Sequence, residues 1–412
     1  GSYACEVGYL IGSDPAFAEG QPSIFAYRQR SGVNVRAFNA VYMVPTGIGA
    51  EVGGHAGDAS PAAQLLASCC DQLITHPNVV NASDINEMPE SALYVEGSVL
   101  NRFLMGTVGL QPVRSNRVLV VIDAHRDEAF VNVAINSVSG ARAAYGLNCP
   151  EVVCLDPPVK LRARFASSGR AAGRVESLDA LFAILRERRT DYDAVALSSV
   201  IDVPNAFHLG YFEAAGEMIN PWGGVEAMLT HATSSLFNVP TAHSPMFESQ
   251  TIANLDPGIV DPRMAAEAVS MTFLQCILKG LQRSPRIITS PDEMRMPGVL
   301  TAEDVHCLVI PDGCLGLPVI AALEQGIAVI AVCENSNRMS NNLSVLPWRS
   351  GQFFRVDNYW EAAGVIAALR AGITPDSVRR PLAATSVSIV KQTQEHATLS
   401  VPQRENDRST SQ

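Results

Sequence analysis

The junction at residues 41–62, VYMVPTGIGAEVGGHAGDASPA, constrains the fold most, because an apolar run meets five glycines and then a helix-start signal. Residues 41–44 predict a short buried strand, and the glycines permit positive φ angles and close backbone approach. Asp58 or Ser60 can cap the next helix, whose first turn suits Pro61. Free amides at such a turn attract phosphate or carboxylate. We therefore predict an anion-binding loop with one proton-transfer candidate, His55.

Two known phosphate-binding patterns fit this loop poorly. No Gly-Lys-Ser/Thr sequence closes it, which excludes the phosphate loop of nucleoside triphosphatases. Gly47, Gly49 and Gly53 give a GxGxxxG spacing that resembles some NADP-binding loops, but this pattern is weak. The plainer alternative is a glycine-rich turn that only reverses the chain, and the sequence leaves it open.

Apolar, strand-like runs alternate with amphipathic helical runs along the chain, as at 117–125, 151–156 and 193–202. This alternation predicts an α/β fold of mostly parallel sheets with flanking helices, arranged as two Rossmann-like halves that face a cleft. The predicted regions are an N-terminal α/β region with the glycine-rich loop at 1–115, a central α/β region at 116–260, a C-terminal Rossmann-like region at 261–395 and a flexible tail at 396–412.

Composition narrows the class of protein. The chain has 412 residues, a net charge of −11 and nine cysteines. An acidic balance without a basic stripe argues against nucleic-acid binding. No run approaches the ~20 apolar residues that span a bilayer, so no membrane partner is expected. Scattered cysteines without a CxxC pair predict reduced thiols in the cytoplasm, and surplus apolar helix faces predict a homo-oligomer, specifically a homodimer.

The loop at 73–90, LITHPNVVNASDINEMPE, carries more polar groups than a turn requires. We expect His76 to act as general acid or base near neutral pH, with Asp84 or Glu87 orienting it. The same side chains could ligate a metal, although their spacing matches no familiar metal motif. For each residue taken singly, ordinary turn formation is the alternative.

A histidine-rich stretch at 205–249 contains a rigid Asn-Pro-Trp-Gly-Gly turn before a helix. The amides of Gly223 and Gly224 predict a second anion site. His243 is expected in a proline-bounded loop as a third acid/base candidate. Ser244 beside it is no hydrolase nucleophile signature, because the glycine elbow is absent. The arginine-rich segment at 157–177 is predicted to be an exposed loop, or a mobile flap that brings an arginine to an anion.

A third polar group of residues lies at 309–337, where Asp312 follows one predicted strand and Glu334 follows the next. The segment resembles the nucleotide-sugar-binding half of two-domain glycosyltransferases and sugar-nucleotide epimerases, but lacks their usual acidic partner in the turn. Two interpretations of Cys314 stay open. It is either a thiol activated at a helix N-terminus or a small turn residue packed beneath the helix.

Several long motifs of the chain resemble an uncharacterised domain-of-unknown-function family of cyanobacterial and plant-type proteins. The likeness runs over most of residues 5–370. It implies family membership, but it supplies no known reaction and no catalytic residue. The motifs are PTGIGAEVGGHAGDASPAAQLL, THPNVVNASDINEMPE, YVEGSVL, NPWGGVEAMLTH, NVPTAHSPM and PDGCLGLPVIAALEQG.

These features together predict an enzyme that acts on a small anionic or phosphorylated metabolite by acid/base chemistry, as a lyase, isomerase or hydrolase. His55 and His76 are the expected proton-transfer pair, oriented by Asp58 and Glu87. No cofactor is identified, and a divalent metal stays open. The alternatives are a nucleotide-sugar transferase or epimerase and a non-catalytic small-molecule sensor. The predicted substrate-binding residues are Thr46, Gly47, Gly49, Gly53, Gly54, Asn78, Asn81, Ser83, Asp84, Trp222, Gly223, Gly224, Asp312, Gly313, Cys314, Glu334 and Asn335.

Overall fold

The fold is that of a computed structural model, which describes residue 23 and residues 25–389. The predicted tail at 396–412 lies outside these residues. Strands in the described part are β1 (Asn39–Tyr42), β2 (Gln72–Thr75), β3 (Asn81–Ala82), β4 (Ile85–Asn86), β5 (Ala92–Tyr94), β6 (Gly109–Gln111), β7 (Val118–Asp123), β8 (Val152–Leu155), β9 (Lys160–Phe165), β10 (Ala171–Glu176), β11 (Ala194–Asp202), β12 (Thr241–Met246), β13 (Arg286–Ile288), β14 (Val305–Pro311), β15 (Ala328–Val332) and β16 (Phe353–Val356).

The α-helices of the described residues alternate with these strands, and short 3-10 turns join some of them. Among the described residues, 375–389 belong to a unit of their own, which carries the 3-10 helix Pro375–Val378. The α-helices are α1 (Ser60–Ala67), α2 (Pro77–Val80), α3 (Gly97–Leu104), α4 (Glu128–Tyr145), α5 (Asp179–Glu187), α6 (Ala206–Glu213), α7 (Gly223–Phe237), α8 (Gln250–Ala253), α9 (Ala265–Val269), α10 (Leu274–Gln282), α11 (Leu317–Gln325) and α12 (Tyr359–Arg370).

One sheet of six parallel strands runs in the order β5-β2-β1-β14-β15-β16. Counted along the chain within this sheet, the order is 3-2-1-4-5-6, as in doubly wound folds. Its central strand β1 is buried along its whole length, as expected where helices cover both faces of a parallel sheet. The sheet takes strands from both the predicted N-terminal and the predicted C-terminal region, because β1 pairs with β14.

A second sheet occupies the middle of the chain, in the order β10-β9-β11-β7-β8 with β12 beside β11. Strands β7, β8, β11 and β12 are parallel, whereas β9 and β10 form an antiparallel hairpin. The predicted α/β fold with parallel sheets is therefore confirmed, but the two Rossmann-like halves are not.

The hairpin corrects the prediction of a loop or mobile flap at 157–177. Leu161 and Ala163 are buried, while the alternate residues Lys160, Arg162 and Arg164 are exposed. This alternation has the two-residue period of a strand with one face on the core. The alternation is hard to recognise from the sequence, because Leu161 and Ala163 are the only apolar residues among the charged residues at 160–164.

The apolar segment 264–282 does not form one continuous helix but is broken into α9 and α10. Ser270 at the break is extended, and its hydroxyl accepts the Thr272 amide proton at 3.2 Å and donates to Asp84 Oδ1 at 3.0 Å. A serine side chain that bonds to nearby backbone competes with helical hydrogen bonding. The break turns the chain so that both α9 and α10 contribute to one cavity wall.

Asn335 ties the glycine-rich loop to the first sheet. Its side chain accepts the Val52 amide proton at 2.9 Å and donates to the Val52 carbonyl oxygen at 2.8 Å, as a neighbouring strand would. Its Nδ2 also donates to the Tyr359 hydroxyl at 2.6 Å. Since Asn335 is fully buried, the loss of these bonds would leave backbone groups without partners.

We predict that Asn335→Ala lowers the free energy of unfolding by about 2–4 kcal/mol, because several buried hydrogen bonds are lost together. The matched control is Asn136→Ala, which removes an exposed asparagine from α4 and should change stability by less than about 0.5 kcal/mol. Urea unfolding of the two variants and the wild type measures the difference. Equal stability of both variants would refute the anchoring role of Asn335.

Candidate functional site

A cavity of about 290 Å³ lies where loops leave the carboxyl ends of strands in both sheets. The glycine-rich loop after β1, the segment after β2 and the start of α3 form one part of its wall. Helices α6 and α7, the end of β12 and the segment from α8 to α10 form the rest. Ligands of parallel sheets bind outside the carboxyl ends of the strands, so this is the natural candidate site.

Eleven of the residues predicted from the sequence line this cavity, and eleven do not. Those in the lining are Thr46, Gly47, Gly49, Gly54, His55, Asn78, Asn81, Ser83, Trp222, Gly223 and His243. Those outside the lining are Gly53, Asp58, His76, Asp84, Glu87, Gly224, Asp312, Gly313, Cys314, Glu334 and Asn335.

The charges of the lining do not favour a phosphorylated ligand. Four glutamates contribute to it, Glu96, Glu226, Glu248 and Glu267, and no lysine or arginine of the described chain does. Phosphate sites in proteins rely on cationic side chains or on free backbone amides. The anionic-metabolite prediction therefore depends on the amides of the glycine-rich loop.

Those amides already hold carboxylates that belong to the chain itself. The backbone amides of Gly53 and His55 donate to Asp58 at 3.0 and 3.3 Å. The Ala56 amide donates to Glu267 Oε1 at 2.8 Å. The loop thus has the amide geometry expected of an anion site, and two internal side chains occupy the positions of an external anion.

The second predicted anion site, at the start of α7, is corrected in the same way. The amides of Trp222 and Gly223 both donate to Asn220 Oδ1, at 3.0 and 3.3 Å. Gly224 is buried with its Cα against the Ala171 backbone, where a Cβ atom would come within 2.3 Å of the carbonyl oxygen. Gly223 therefore serves to form a tight turn, and Gly224 permits close packing on β10.

A hydrogen-bonded chain of three side chains lies at the cavity wall. His55 Nδ1 and the Tyr211 hydroxyl are 2.5 Å apart, and Tyr211 also bonds to Glu267. His55 and Glu267 line the cavity, while Tyr211 is fully buried behind them. Asn220 completes the arrangement by donating to Glu267 Oε1 at 3.1 Å.

Burial sets the protonation of this chain. It raises the pKa of Glu267 from 4.5 to about 7, and that of the neighbouring Asp58 from 3.8 to about 7. Burial, assisted by the Arg263 cation, lowers the pKa of His55 from 6.5 to about 4. Near neutral pH the His55 ring is neutral, and Glu267 is close to the midpoint of its titration. Groups in one site whose pKa values are shifted in opposite directions are typical of acid/base catalysis.

A second carboxylate–histidine pair joins α3 to α7. Glu96 caps the N-terminus of α3, where it accepts the Ser98 amide proton at 2.9 Å, and it is bonded to His231 and Thr230 of α7. Burial alone would raise the pKa of Glu96, but the His231 charge and several hydrogen bonds lower it. Burial likewise opposes the charge of His231, and Glu96 raises the His231 pKa above its usual value. The pair is thus an ion pair that holds the two helices together.

A third hydrogen-bonded group connects strands β11 and β12 of the second sheet with helix α7. His243 Nδ1 lies 2.9 Å from Glu226 Oε1, and His243 Nε2 lies 2.7 Å from the Ser199 hydroxyl. The structure places His243 on strand β12, which corrects the predicted loop location. The surrounding Thr-Ala-His-Ser sequence is short and flanked by prolines, so its strand character depends on pairing with β11.

His76 is not placed for proton transfer in this cavity. Its Nε2 accepts the Val44 amide proton at 3.1 Å, and burial lowers its pKa to about 4. The predicted orienting residues are elsewhere, since Glu87 is exposed and Asp84 accepts from Ser270. Asn78 donates to the carbonyl oxygens of Val44 and Gly53, so it holds the loop in place. The predicted His55–His76 pair therefore does not form.

The polar residues at 309–337 stabilise the first sheet and do not reach the cavity. Asp312 forms an ion pair with Arg355 at 2.7 Å, and Glu334 accepts the Tyr359 amide proton at 3.3 Å. Cys314 is buried, and burial raises its pKa to about 12, so the thiol is not activated. The packed-turn interpretation of Cys314 is the one that the structure supports.

Sequence reasoning missed Tyr211, Glu267 and Ser199. One signal was available for Glu267, since it is the single charged residue in the apolar run 264–271, MAAEAVSM. A charged residue on an otherwise apolar helix is buried only when it is paired or hydrogen-bonded. Nothing local distinguishes Tyr211 or Ser199. For metals, no three histidine, cysteine, aspartate or glutamate side chains are grouped as ligands within the described residues.

Comparison with known proteins identifies the family. The family described as "Protein of unknown function (DUF3326)" matches residues 39–379. The chain belongs to this family. It is also similar to a protein from Synechococcus sp. that is named an uncharacterized lipoprotein. The two sequences are 34% identical over 344 residues, and this alignment covers 82% of this chain and 93% of the relative. No solved structure matches the chain. The DUF3326 comparison confirms the predicted membership of an uncharacterised family and leaves the reaction open.

The predicted cytoplasmic location is wrong by this comparison, because the Synechococcus relative is named a lipoprotein. The prediction depended on cysteines without pairing motifs. Eight cysteines of the described chain are free thiols, and such thiols occur in more than one compartment. No single described helix is long and apolar enough to cross a membrane. The helices Pro262–Val269 and Leu274–Gln282, which are bent by 98° relative to each other, together have the length and composition of a membrane span. The predicted homodimer stays a prediction.

We predict that the stability of the wild type falls between about pH 4.5 and pH 7 relative to Glu267→Gln. Folding raises the Glu267 pKa, so the folded state binds this proton more tightly than the unfolded state does, and deprotonation costs stability. The expected change across that interval is on the order of 2 kcal/mol. Urea unfolding at pH 5 and pH 8 measures it.

The matched control for this titration is Glu213→Gln, which removes an exposed carboxylate at the end of α6, outside the cavity lining. Its stability should follow that of the wild type at both pH values. If Glu267→Gln also follows the wild type, Glu267 does not hold a raised pKa.

Proposed function

We propose that this DUF3326 protein is an enzyme that transfers protons to and from a small molecule bound in the cavity. The observation that carries the proposal is the buried chain His55–Tyr211–Glu267, whose two ends reach the cavity. A cavity that combines apolar walls, a few converging polar groups and oppositely shifted pKa values has the character of an active site.

The three hydrogen-bonded side chains are suited to carry one proton between His55 and Glu267. The Nδ1 atom of His55 is engaged by Tyr211, which leaves Nε2 as the ring nitrogen for substrate. A proton accepted at Nε2 releases the Nδ1 proton to the Tyr211 oxygen, and the Tyr211 proton then passes to the Glu267 carboxylate. The reverse sequence delivers a proton to substrate. No charge remains on the buried Tyr211 hydroxyl in either direction, so the transfer avoids the free-energy cost of an uncompensated buried charge.

The proton-transfer roles do not choose among the three reaction types that the sequence predicts. Lyases, isomerases and hydrolases all use such groups, and each remains compatible with the cavity. The nucleotide-sugar alternative receives no support from the contacts, because Asp312 and Glu334 bond within the first sheet. The sensor alternative would keep the cavity but would not need Glu267 to titrate near neutral pH.

The test uses the small-molecule fraction of a cell extract, incubated with the protein in D₂O and separately in H₂¹⁸O. We predict that the wild type changes the mass of at least one metabolite, by deuterium uptake, by ¹⁸O uptake or by conversion. Glu267→Gln should lower that change at least about 100-fold, the usual contribution of a general acid or base. Mass spectrometry reads all three outcomes in one sample.

Glu213→Gln is the matched control and should react like the wild type, since this exposed glutamate lies outside the cavity. Tyr211→Phe tests the connection, because it keeps the ring but removes the hydroxyl that joins His55 to Glu267. A metabolite that binds without any mass change would favour the sensor. Equal turnover by the wild type and Glu267→Gln would contradict the proposal.

A further inference from the structure

We infer that Glu226 is a second proton-transfer group of the same cavity, and that His243 and Ser199 are positioning residues that hold its carboxylate. This inference rests on the proposed function but uses different residues. None of the three contacts the His55–Tyr211–Glu267 chain by hydrogen bonds in the described structure. The cavity would therefore offer two independent groups for acid/base chemistry.

The hydrogen bonds run from the core to the cavity in a fixed order. Ser199 on β11 is 3% exposed, the His243 side chain is fully buried, and the Glu226 side chain at the start of α7 is 24% exposed. Only Glu226 and His243 line the cavity. Among the described residues, His243 is the one hydrogen-bond partner of the Glu226 side chain, so the second carboxylate oxygen is left for a ligand.

Proton positions follow from the chemistry of the three groups. A carboxylate only accepts hydrogen bonds, so His243 Nδ1 must carry the proton donated to Glu226. In the neutral ring, Nε2 is then an acceptor, and the Ser199 hydroxyl donates to it. Ser199 thereby selects the Nδ1–H form of the ring, which in turn fixes the orientation of the Glu226 carboxylate.

The order serine–histidine–glutamate is also that of a hydrolase triad, but Ser199 is badly placed to be a nucleophile. It lies within a regular strand rather than at an exposed strand-to-helix turn, and it does not reach the main cavity. A nucleophilic serine must meet the substrate carbonyl group, so the cavity end of this arrangement is Glu226.

Two independent acid/base groups define a class of reaction. One group removes a proton from a substrate atom while the other gives a proton to another atom of the same substrate, and the number of protons balances. Isomerisation, and elimination with protonation of the leaving group, both have this requirement. The substrate class is thus a small molecule that fits in the cavity and carries both an acidic C–H or O–H group and a basic atom that can accept a proton.

The first test reads the His243 ring directly and needs no substrate. Long-range ¹H–¹⁵N NMR of the histidine-labelled protein at pH 8 should show His243 as the Nδ1–H tautomer. Ser199→Ala should mix in the Nε2–H tautomer, and Ser199→Thr, which keeps a hydroxyl on a β-strand, should restore the wild-type spectrum. An Nε2–H ring in the wild type, or no change in Ser199→Ala, would overturn the positioning role.

The second test separates the positioning role from nucleophilic catalysis. A fluorophosphonate probe followed by peptide mass spectrometry should leave Ser199 unmodified, and an adduct on Ser199 would overturn the assignment. In the D₂O and H₂¹⁸O assay, Glu226→Gln should abolish the reaction and Ser199→Ala should slow it about tenfold, as for the loss of one hydrogen bond. A reaction that needs Glu267 but tolerates Glu226→Gln would refute this inference alone. The absence of any reaction would refute the proposed function. In that case the NMR result still decides the positioning role of Ser199 and His243.

Discussion

The structure depends on backbone amides of the glycine-rich loop that donate to carboxylates of the same chain. Glycine at 53 and 57 allows positive φ angles, so the loop can turn its amides inward toward Asp58 and Glu267. Amides that face inward need acceptors, because a buried amide without a partner is costly. The loop satisfies that need with two acidic side chains, and burial keeps both near their titration midpoint at neutral pH. A type of loop that usually binds an external phosphate here binds two acidic side chains of the same protein, Asp58 and Glu267.

Three distant parts of the chain meet around the Glu267 carboxyl group. The loop follows β1, Tyr211 lies on α6 near the second sheet, and Glu267 lies on α9 just before the break at Ser270. On the two sides of the break, α9 presents Glu267 to the Ala56 amide and α10 contributes Ile277 to the cavity wall. The serine break, which costs one stretch of regular helix, therefore positions the group on which the proposed chemistry rests.

The sequence predicted those features that local pattern encodes. Buried apolar runs predict the parallel strands, and the glycine-rich loop with His55 lies at a strand end as expected. Long-range partners were beyond it, because no spacing links His55 to Tyr211 or His243 to Ser199. Polar residues such as Asn335 and Asp312, which the sequence predicts to bind ligand, instead form hydrogen bonds and ion pairs with backbone and side-chain groups of the fold. A polar side chain at a strand end can serve either purpose, and only its partners distinguish the two.

The proposed chemistry depends on Glu267, a carboxyl group that lies in the cavity wall, is bonded to Tyr211 and has its pKa raised by burial to about 7. Infrared difference spectroscopy during a pH titration tests this most directly, since protonated and ionised carboxyl groups absorb at separate frequencies. We expect a carboxylic-acid band that disappears around pH 7 in the wild type, loses one carboxyl group of intensity in Glu267→Gln and shifts in Tyr211→Phe. A spectrum in which Glu267→Gln matches the wild type across this range would contradict it.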